Sequence, residues 1–260
     1  MPVMTRIVTA AVLIIGDEIL SGRTQDTNFR TIALFLAPLG VEVREARVVP
    51  DVHDTIVDAL NALRAQYDYV FTTGGIGPTH DDITADAVAD AFGCSIGVRQ
   101  DALDILRPWY EARGQEINEG RLRMARIPEG ASLIHNPVSA APGFQLGNVF
   151  VMAGVPSVMR GMLTDIVSRI EGGALVYSRT LRASGVREGD IAGPLGDLAA
   201  ASPEASLGSY PYMRLNAQTV DYGVNLVARG RDRDLIDRLA LALADMIRSL
   251  GAEPLIDPDP

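Results

Sequence analysis

Residues 72–82 have the sequence TTGGIGPTHDD, which brings glycines, hydroxyl groups and two carboxylates together in one short segment. Successive backbone amides in a glycine turn bind anions, because glycine lets a ligand approach the main chain closely. A protonated histidine can also bind phosphate or move a proton. The segment therefore predicts a phosphate-binding turn whose ligand-binding residues are Thr73, Gly74, Gly75, Gly77, Thr79 and His80. The alternative is an ordinary capped turn in which glycine serves geometry alone.

Three aspartates are the candidates for metal binding and catalysis. Asp81 and Asp82 precede an apolar helical pattern, and Asp17 follows the first predicted strand. Carboxylates at this place can hold a divalent cation that bridges phosphate oxygens. We therefore predict a Mg²⁺, Mn²⁺ or Co²⁺ site formed by Asp17, Asp81 and Asp82, with Glu18 as an alternative to Asp17. Helix capping and a solvated turn are the competing interpretations of the same acids.

A proline- and glycine-rich segment, residues 136–143, is a further candidate to close over a ligand. Asn136 and Ser139 supply polar groups there and are predicted ligand-binding residues, although such turns commonly serve geometry only. Cys94 has no neighbouring base in the sequence, which favours a structural thiol over a nucleophile.

The elements that must position these residues alternate along the first part of the chain. Apolar runs at 7–15, 41–49 and 68–73 predict strands, and the patterns at 28–38 and 52–66 predict the helices between them. A β-α-β-α-β series predicts the α/β class, with a mostly parallel sheet covered on both faces and ligands bound beyond the carboxyl ends of its strands. A further helix is predicted for 81–92, ending at Gly93.

The remaining sequence predicts less regular elements and a second module. Residues 99–113 and 116–126 have helical patterns, a hairpin is expected around Gly147, and a helix is expected over 157–170. Two consecutive glycines, Gly172 and Gly173, indicate a boundary between a first domain (5–172) and a small α+β domain (173–251). In that module we predict strands at 175–184, 205–213 and 217–229 and helices at 188–200 and 231–250. Residues 252–260 are predicted to be a frayed tail.

Composition restricts the chemistry and the partners. The formal net charge of −10 disfavours nucleic acid as a partner, and all 23 basic residues are arginine. Schiff-base chemistry and a phosphate-loop lysine are excluded, so phosphate must be bound by backbone amides, arginine or a metal. The N-terminal apolar run is too short to span a bilayer, and one cysteine cannot form an intramolecular disulfide. We expect a cytoplasmic protein without a membrane partner.

Several motifs occur together in a familiar order: GDEILSGRTQDTN, VVPD, TTGGIGPTHDDIT, PEGASLIHNP, APGF and GVPSVM. Together they resemble the MoaB/Mog-like molybdopterin-binding superfamily, in the branch that contains the N-terminal part of CinA and the molybdopterin-binding-like domain of FAD synthase. The resemblance covers residues 5–170 closely and 175–250 more loosely. It implies a three-layer α/β/α domain with a mostly parallel sheet, followed by a smaller C-terminal α+β module, and it suggests a homo-oligomer.

The resemblance also implies a small-molecule ligand, a nucleotide or a pterin such as molybdopterin, bound at the glycine-aspartate turn. The activity it implies first is metal-dependent hydrolysis of the pyrophosphate bond of ADP-ribose or FAD. The alternatives are a non-catalytic molybdopterin or nucleotide binding module and a molybdopterin adenylyltransferase. The chain departs from the family pattern at Ser139 and Ala140, where the family often has glycine and threonine, and at Val158, where it has glutamate.

Overall fold

The computed structural model describes residues 6–215 and 220–257. The chain forms two compact units, Met1–Ala174 and Leu175–Pro260. Among the described residues, no helix combines the length and the apolar character that crossing a bilayer would require.

The first unit is built on a six-stranded sheet with the strand order β2-β1-β3-β8-β7-β6. Strands β2, β1, β3 and β8 run parallel, while β7 and β6 continue the sheet antiparallel. A separate pair, β4 and β5, is antiparallel. The strands of this unit are β1 (Val8–Ile15), β2 (Val41–Val49), β3 (Tyr69–Thr73), β4 (Ile96–Val98), β5 (Arg126–Pro128), β6 (Ser132–Ile134), β7 (Gly143–Leu146) and β8 (Val149–Met152).

Seven helices accompany this sheet in the described part of the first unit. They are α1 (Asp17–Leu20), α2 (Asn28–Leu36), α3 (His53–Gln66), α4 (Thr84–Phe92), α5 (Gln100–Glu111), α6 (Glu119–Arg123) and α7 (Pro156–Ile166). Two short 3₁₀ segments, Ala37–Leu39 and Val167–Arg169, extend α2 and α7.

The central strand β1 is buried on both sides, which explains its nearly continuous apolar sequence. Because strand side chains alternate between faces, Leu13 packs into one cluster and Val12 into another. Helices α3, α4 and α5 cover the first face, and α2 and α7 cover the second. This arrangement confirms the predicted three-layer α/β/α fold with a mostly parallel sheet.

Asp68, immediately before β3, fixes the start of the parallel strands. Its carboxylate accepts hydrogen bonds from the Thr9 amide at 2.8 Å and the Thr9 hydroxyl at 3.0 Å, and it pairs with Arg6 at 2.5 Å. Burial raises the pKa of this carboxyl group, but the bonds from Thr9 and Arg6 outweigh burial and hold the pKa below its ordinary value. Asp68 therefore stabilises the fold while it is ionised.

We expect Asp68→Asn to lower the free energy of unfolding by about 1–2 kcal/mol at pH 7, because bonds to a charged acceptor are weakened. A carboxyl group with a lowered folded pKa stabilises above its unfolded pKa of about 3.9, and that contribution is lost as the pH falls through the folded pKa. Urea unfolding followed by Trp109 fluorescence should therefore show the difference from wild type shrinking below pH 4. A pH-independent difference would contradict this, and exposed Asp58→Asn is the control.

The second unit has a four-stranded antiparallel sheet in the order β10-β11-β9-β12. Helices α8 and α9 contribute Ile191, Ile236 and Leu243 to a core that also contains Leu181 and Leu226 from the sheet. This is the smaller α+β module predicted from the sequence. Its elements are β9 (Tyr177–Ser184), α8 (Glu188–Ala200), β10 (Ser206–Leu215), β11 (Val220–Gly230), α9 (Arg233–Ser249) and β12 (Pro254–Asp257).

The structure corrects three predicted elements. The frayed tail is wrong for Pro254–Asp257, which pairs with β9 as strand β12; residues 258–260 lie outside the described residues. The helix predicted for 116–126 is confined to α6, because Arg126–Pro128 pairs with β4 instead. The helix predicted to begin at Asp81 begins at Thr84. Of the strand predicted at 217–229, residues 217–219 lie outside the described residues.

Candidate active site

The glycine turn follows β3 and requires glycine for two separate reasons. Gly74 and Gly75 have φ angles of 105° and 66°, in the region that side chains disfavour. A Cβ atom on Gly74 would lie 2.1 Å from the Ile15 carbonyl oxygen, and one on Gly75 would lie 2.1 Å from Thr84 Oγ1. The turn therefore packs directly against the end of β1 and the start of α4.

The hydrogen bonds of the turn leave part of its backbone open. The Gly74 amide donates to the Met152 carbonyl at 3.2 Å, and Thr84 binds the turn from the other side through its amide and hydroxyl. In the described part of the chain, the amides of the next three residues, Gly75, Ile76 and Gly77, have no protein acceptor. Successive unpaired amides can bind an anion, and the ligand-binding roles predicted for Gly75 and Gly77 stay predictions.

Asp82 shapes the end of the turn. Its Oδ2 accepts bonds from the Thr79 amide at 2.8 Å and from the Thr79 hydroxyl at 2.5 Å. A Cβ atom on Gly77 would lie 2.6 Å from the same oxygen, so the carboxylate is folded back onto the turn. Asp82 thus has a structural role beside the metal and catalytic roles predicted for it, which stay predictions.

Asp81 and His80 differ from Asp82 in their exposure. The His80 side chain is 98% exposed, and its Nδ1 lies 4.0 Å from Asp81 Oδ1. The pKa of Asp81 is held below its ordinary value by the nearby Thr79 side chain and its own backbone amide, with the charges of His80 and Arg123 adding to the effect. Asp81 is therefore an ionised carboxylate that faces solvent.

A cluster of acids lies at the carboxyl ends of the three neighbouring strands β2, β1 and β3. The Asp17 amide donates to Asp51 Oδ2 at 2.9 Å. Burial raises the pKa of Asp51, and the negative charges of Asp17, Glu18 and Asp81 raise it further, against the lowering effect of the Asp17 amide. We call Asp17, Glu18, Asp51 and Asp81 the acidic cluster. Within 6–215 and 220–257, no three acids, histidines or cysteines lie close enough together to hold a metal ion unaided.

Asp51 was not predicted as a site residue, although the order of the parallel strands indicates its position. It follows β2 as Asp17 follows β1 and as the glycine turn follows β3. Parallel strands that are adjacent in the sheet bring their carboxyl ends to the same edge. Applying that rule to β2 would have placed Asp51 in the site.

A small cleft, with a cavity volume of about 20 Å³, adjoins the glycine turn on the side of α4 and α6. Its walls combine turn residues, two arginines, two aspartates and apolar side chains. They are Gly75, Ile76, Gly77, Asp82, Ala85, Asp86, Arg123, Met124, Arg126, Ile127, Pro142 and Phe144. The three residues with unpaired amides, Gly75, Ile76 and Gly77, are thus part of the wall of this cleft.

The 136–143 loop is organised by Asn136, which is 2% exposed. The Asn136 amide nitrogen donates to Ser139 Oγ and the Ala141 carbonyl, and its oxygen accepts the amides of Val138 and Ser139. Of this loop, Pro142 is the residue that lines the described cleft. The ligand contacts predicted for Asn136 and Ser139 stay predictions, because the bonds found here shape the loop itself.

Thr73 lies at the end of β3 and is 1% exposed, so its side chain is enclosed by the sheet and its covering helices. The structure thus brings Gly75, Gly77 and Asp82 to the cleft and Asp17 and Asp81 to the acidic cluster. His80 projects into solvent.

The family of the chain is decided by its match to a family model. The model described as the probable molybdopterin binding domain matches residues 11–172, which is more than half of the 260 residues. The chain belongs to this molybdopterin-binding domain family. A second model, described as the middle domain of FAD synthase, matches residues 175–254, which is most of the second unit.

Relatives place this member of the molybdopterin-binding domain family in the CinA-like branch. A CinA-like protein of Desulfosudis oleivorans is 38% identical over 204 residues, covering 75% of this chain and 49% of that protein. A protein of Pyrobaculum calidifontis is 36% identical over 211 residues, covering 78% of this chain and 80% of its own length. The chain therefore spans about half the length of the CinA-like relative.

A solved structure agrees with this placement. The crystal structure of CinA from Thermoplasma acidophilum, described as a protein of unknown function, has a TM-score of 0.58 and 36% identity. It covers 62% of this chain and 96% of its own. The resemblance inferred from the sequence motifs is confirmed, and so is the fold it implied.

Proposed function

We propose that this molybdopterin-binding domain protein binds a dinucleotide through its diphosphate and hydrolyses the pyrophosphate bond with the help of a divalent cation. The observation that carries the proposal is the row of unpaired amides at Gly75, Ile76 and Gly77 in the wall of the cleft. Such amides bind a phosphate oxygen without a basic side chain, as a lysine-free chain requires.

The acidic cluster supports the cation. Asp51, with one of its neighbours Asp17 and Asp81, would hold Mg²⁺, Mn²⁺ or Co²⁺ together with phosphate oxygens of the substrate. Mg²⁺ in particular is commonly bound by one or two carboxylates plus substrate phosphates, so a complete protein cage is not required. Burial is the main cause of the raised pKa of Asp51, and the negative charges of Asp17, Glu18 and Asp81 add to it, so a cation bound nearby would stabilise the ionised carboxylate. When bound, the cation would polarise the diphosphate and lower the pKa of an attacking water.

Hydrolysis also requires attack by water on one phosphorus and stabilisation of the negative charge that develops there. The oxygen of water forms a bond to one phosphorus, and the bond between that phosphorus and the bridging oxygen breaks. ADP-ribose would give AMP and ribose phosphate, and FAD would give AMP and FMN. The amides of Gly75 and Gly77 would stabilise the negative charge that grows on the phosphoryl oxygens. The match of the second unit to a domain of FAD synthase is the reason for including FAD among the substrates.

The test is an assay of the full chain with ADP-ribose and FAD in the presence of Mg²⁺, Mn²⁺ or Co²⁺, with AMP measured by chromatography. We expect AMP to appear with at least one cation and to disappear when EDTA is in excess, because the acidic cluster alone cannot activate water. The absence of AMP under all these conditions would rule out the proposed hydrolysis.

A non-catalytic binding module is the second candidate, and Val158 is the observation that favours it. Val158 is 8% exposed and packs in the core formed by α2, α7 and the sheet. The family motif that the chain resembles implies a glutamate at this position, and this chain supplies no carboxylate there. Binding without hydrolysis would appear as a ligand-dependent rise in melting temperature with no AMP release.

A further inference from the structure

Helix α6 packs directly on the glycine turn, although about 40 residues separate the two in sequence. A Cβ atom on Gly120 would lie 3.1 Å from the Pro78 carbonyl oxygen. Three residues later, Arg123 Nη2 donates to the Asp82 carbonyl at 3.2 Å. These contacts place one basic side chain of α6 at the wall of the cleft beside Gly75 and Gly77.

The guanidinium group of Arg123 is incompletely bonded. Its Nε atom is buried and has no hydrogen-bond partner in the described part of the structure. A buried donor without an acceptor is unfavourable, and native proteins rarely leave one without a reason such as an absent ligand or ion. Arg123 also forms no ion pair with any described acid at bonding distance, although its charge contributes to the lowered pKa of Asp81.

Arg126, the other arginine of the cleft, differs from Arg123 because it forms an ion pair. Arg126 binds both carboxylate oxygens of Asp86, at 2.8 and 2.5 Å, so its charge is matched within the protein. Arg123 is therefore the basic group of the cleft whose charge is not matched by a bonded carboxylate in the described residues. In a chain without lysine, arginine is the side chain that remains charged at neutral pH and binds phosphate in a fork.

We propose that Arg123 is a ligand-binding residue that holds the diphosphate of the substrate against the unpaired amides of the glycine turn. This inference rests on the proposed function, since it assumes a ligand with phosphate groups. The turn amides and Arg123 would bind the phosphates on the cleft side, while the acidic cluster holds the cation on the other. The planar guanidinium group also explains why an arginine, with two parallel donors, serves here.

Binding of inorganic pyrophosphate in excess EDTA, measured by calorimetry, tests this inference without metal or turnover. We expect Arg123→Met to raise the dissociation constant at least tenfold, because a charge-assisted pair is lost. Arg123→Lys should restore part of the affinity. Arg107→Met, on the exposed side of α5, is the matched control and should bind as wild type does.

The outcomes separate this inference from the proposed function. A folded Arg123→Met variant with wild-type affinity would overturn the role of Arg123 while leaving hydrolysis intact. A wild-type protein that binds neither pyrophosphate nor ADP, and releases no AMP, would remove both. If Arg123→Met does not fold, Arg123→Lys decides: we expect several-fold weaker binding, and unchanged affinity would overturn the inference.

Discussion

Replacing Asp51 by asparagine is expected to reduce cation-dependent AMP release roughly 100-fold. The expectation follows from the proposed hydrolysis, in which Asp51 helps to hold the cation that activates the substrate. Metal ions supply several kcal/mol of transition-state stabilisation, and each 1.36 kcal/mol corresponds to a tenfold change in rate. The measurement is the rate of AMP release at saturating Mg²⁺ or Mn²⁺.

Asparagine is the sharpest substitution because it keeps the shape of the side chain. Its amide oxygen can still accept the Asp17 amide, which now donates to Asp51 at 2.9 Å, so the local fold should survive. Asp58→Asn on the exposed side of α3 is the matched control and should leave the rate unchanged. If Asp51→Asn releases AMP at the wild-type rate, Asp51 does not take part in the reaction.

Substitution of Asp82 is a less informative test of catalysis than the sequence suggested. Removing its carboxylate with Asp82→Ala would also remove the acceptor of the Thr79 amide and hydroxyl. Loss of AMP release in that variant would therefore combine a distorted turn with any loss of chemistry. Asp51 and exposed Asp81 separate the two effects better.

Gly74→Ala is expected to lower the free energy of unfolding of the first unit by roughly 3 kcal/mol or more. The φ angle of 105° is strained for alanine, and the new Cβ atom would lie 2.1 Å from the Ile15 carbonyl oxygen. Relief would require the ends of β1 and β3 to separate. Urea unfolding followed by the fluorescence of Trp109, the one tryptophan of the chain, reports on this unit.

Gly93 provides the matched control for this substitution. It also has a left-handed φ, of 64°, but a Cβ atom there would meet nothing within 4 Å. Gly93→Ala should therefore cost only the conformational penalty of about 1–2 kcal/mol. Equal losses in the two variants would show that the contact with Ile15 has no energetic consequence.

The parallel core could be predicted because its signals are local. The runs at β1, β2 and β3 are apolar and bounded by turn residues, so their existence and order follow from pattern alone. The glycine turn was recognisable for the same reason: its glycines, threonines and aspartates are adjacent in the sequence. Even there, the start of α4 was placed three residues early, because Asp82 binds back to Thr79 instead of entering the helix.

The parts that were not predicted depend on contacts between distant residues. Arg123 lies in a segment with an ordinary helical pattern, and only the packing of α6 on Pro78 brings it to the cleft. Strand β12 is four residues long and lies in a segment rich in proline and aspartate, and its pairing with β9 is what gives it structure. Arg126 leaves the predicted helix because pairing with β4 and the bond to Asp86 hold it elsewhere. Tertiary contacts of this kind override local propensity.

Because β8 lies beside β3 in the sheet, the glycine turn of a nascent chain on the ribosome must wait for a strand that is translated much later. The Gly74 amide is bonded by the carbonyl of Met152, and Gly154 packs against Gly74, yet both partners are translated long after the turn itself. Until β8 emerges from the exit tunnel, β3 has an open edge, which is the kind of surface that chaperones shield. A nascent chain can therefore form the complete glycine turn only when translation of the first unit is nearly finished.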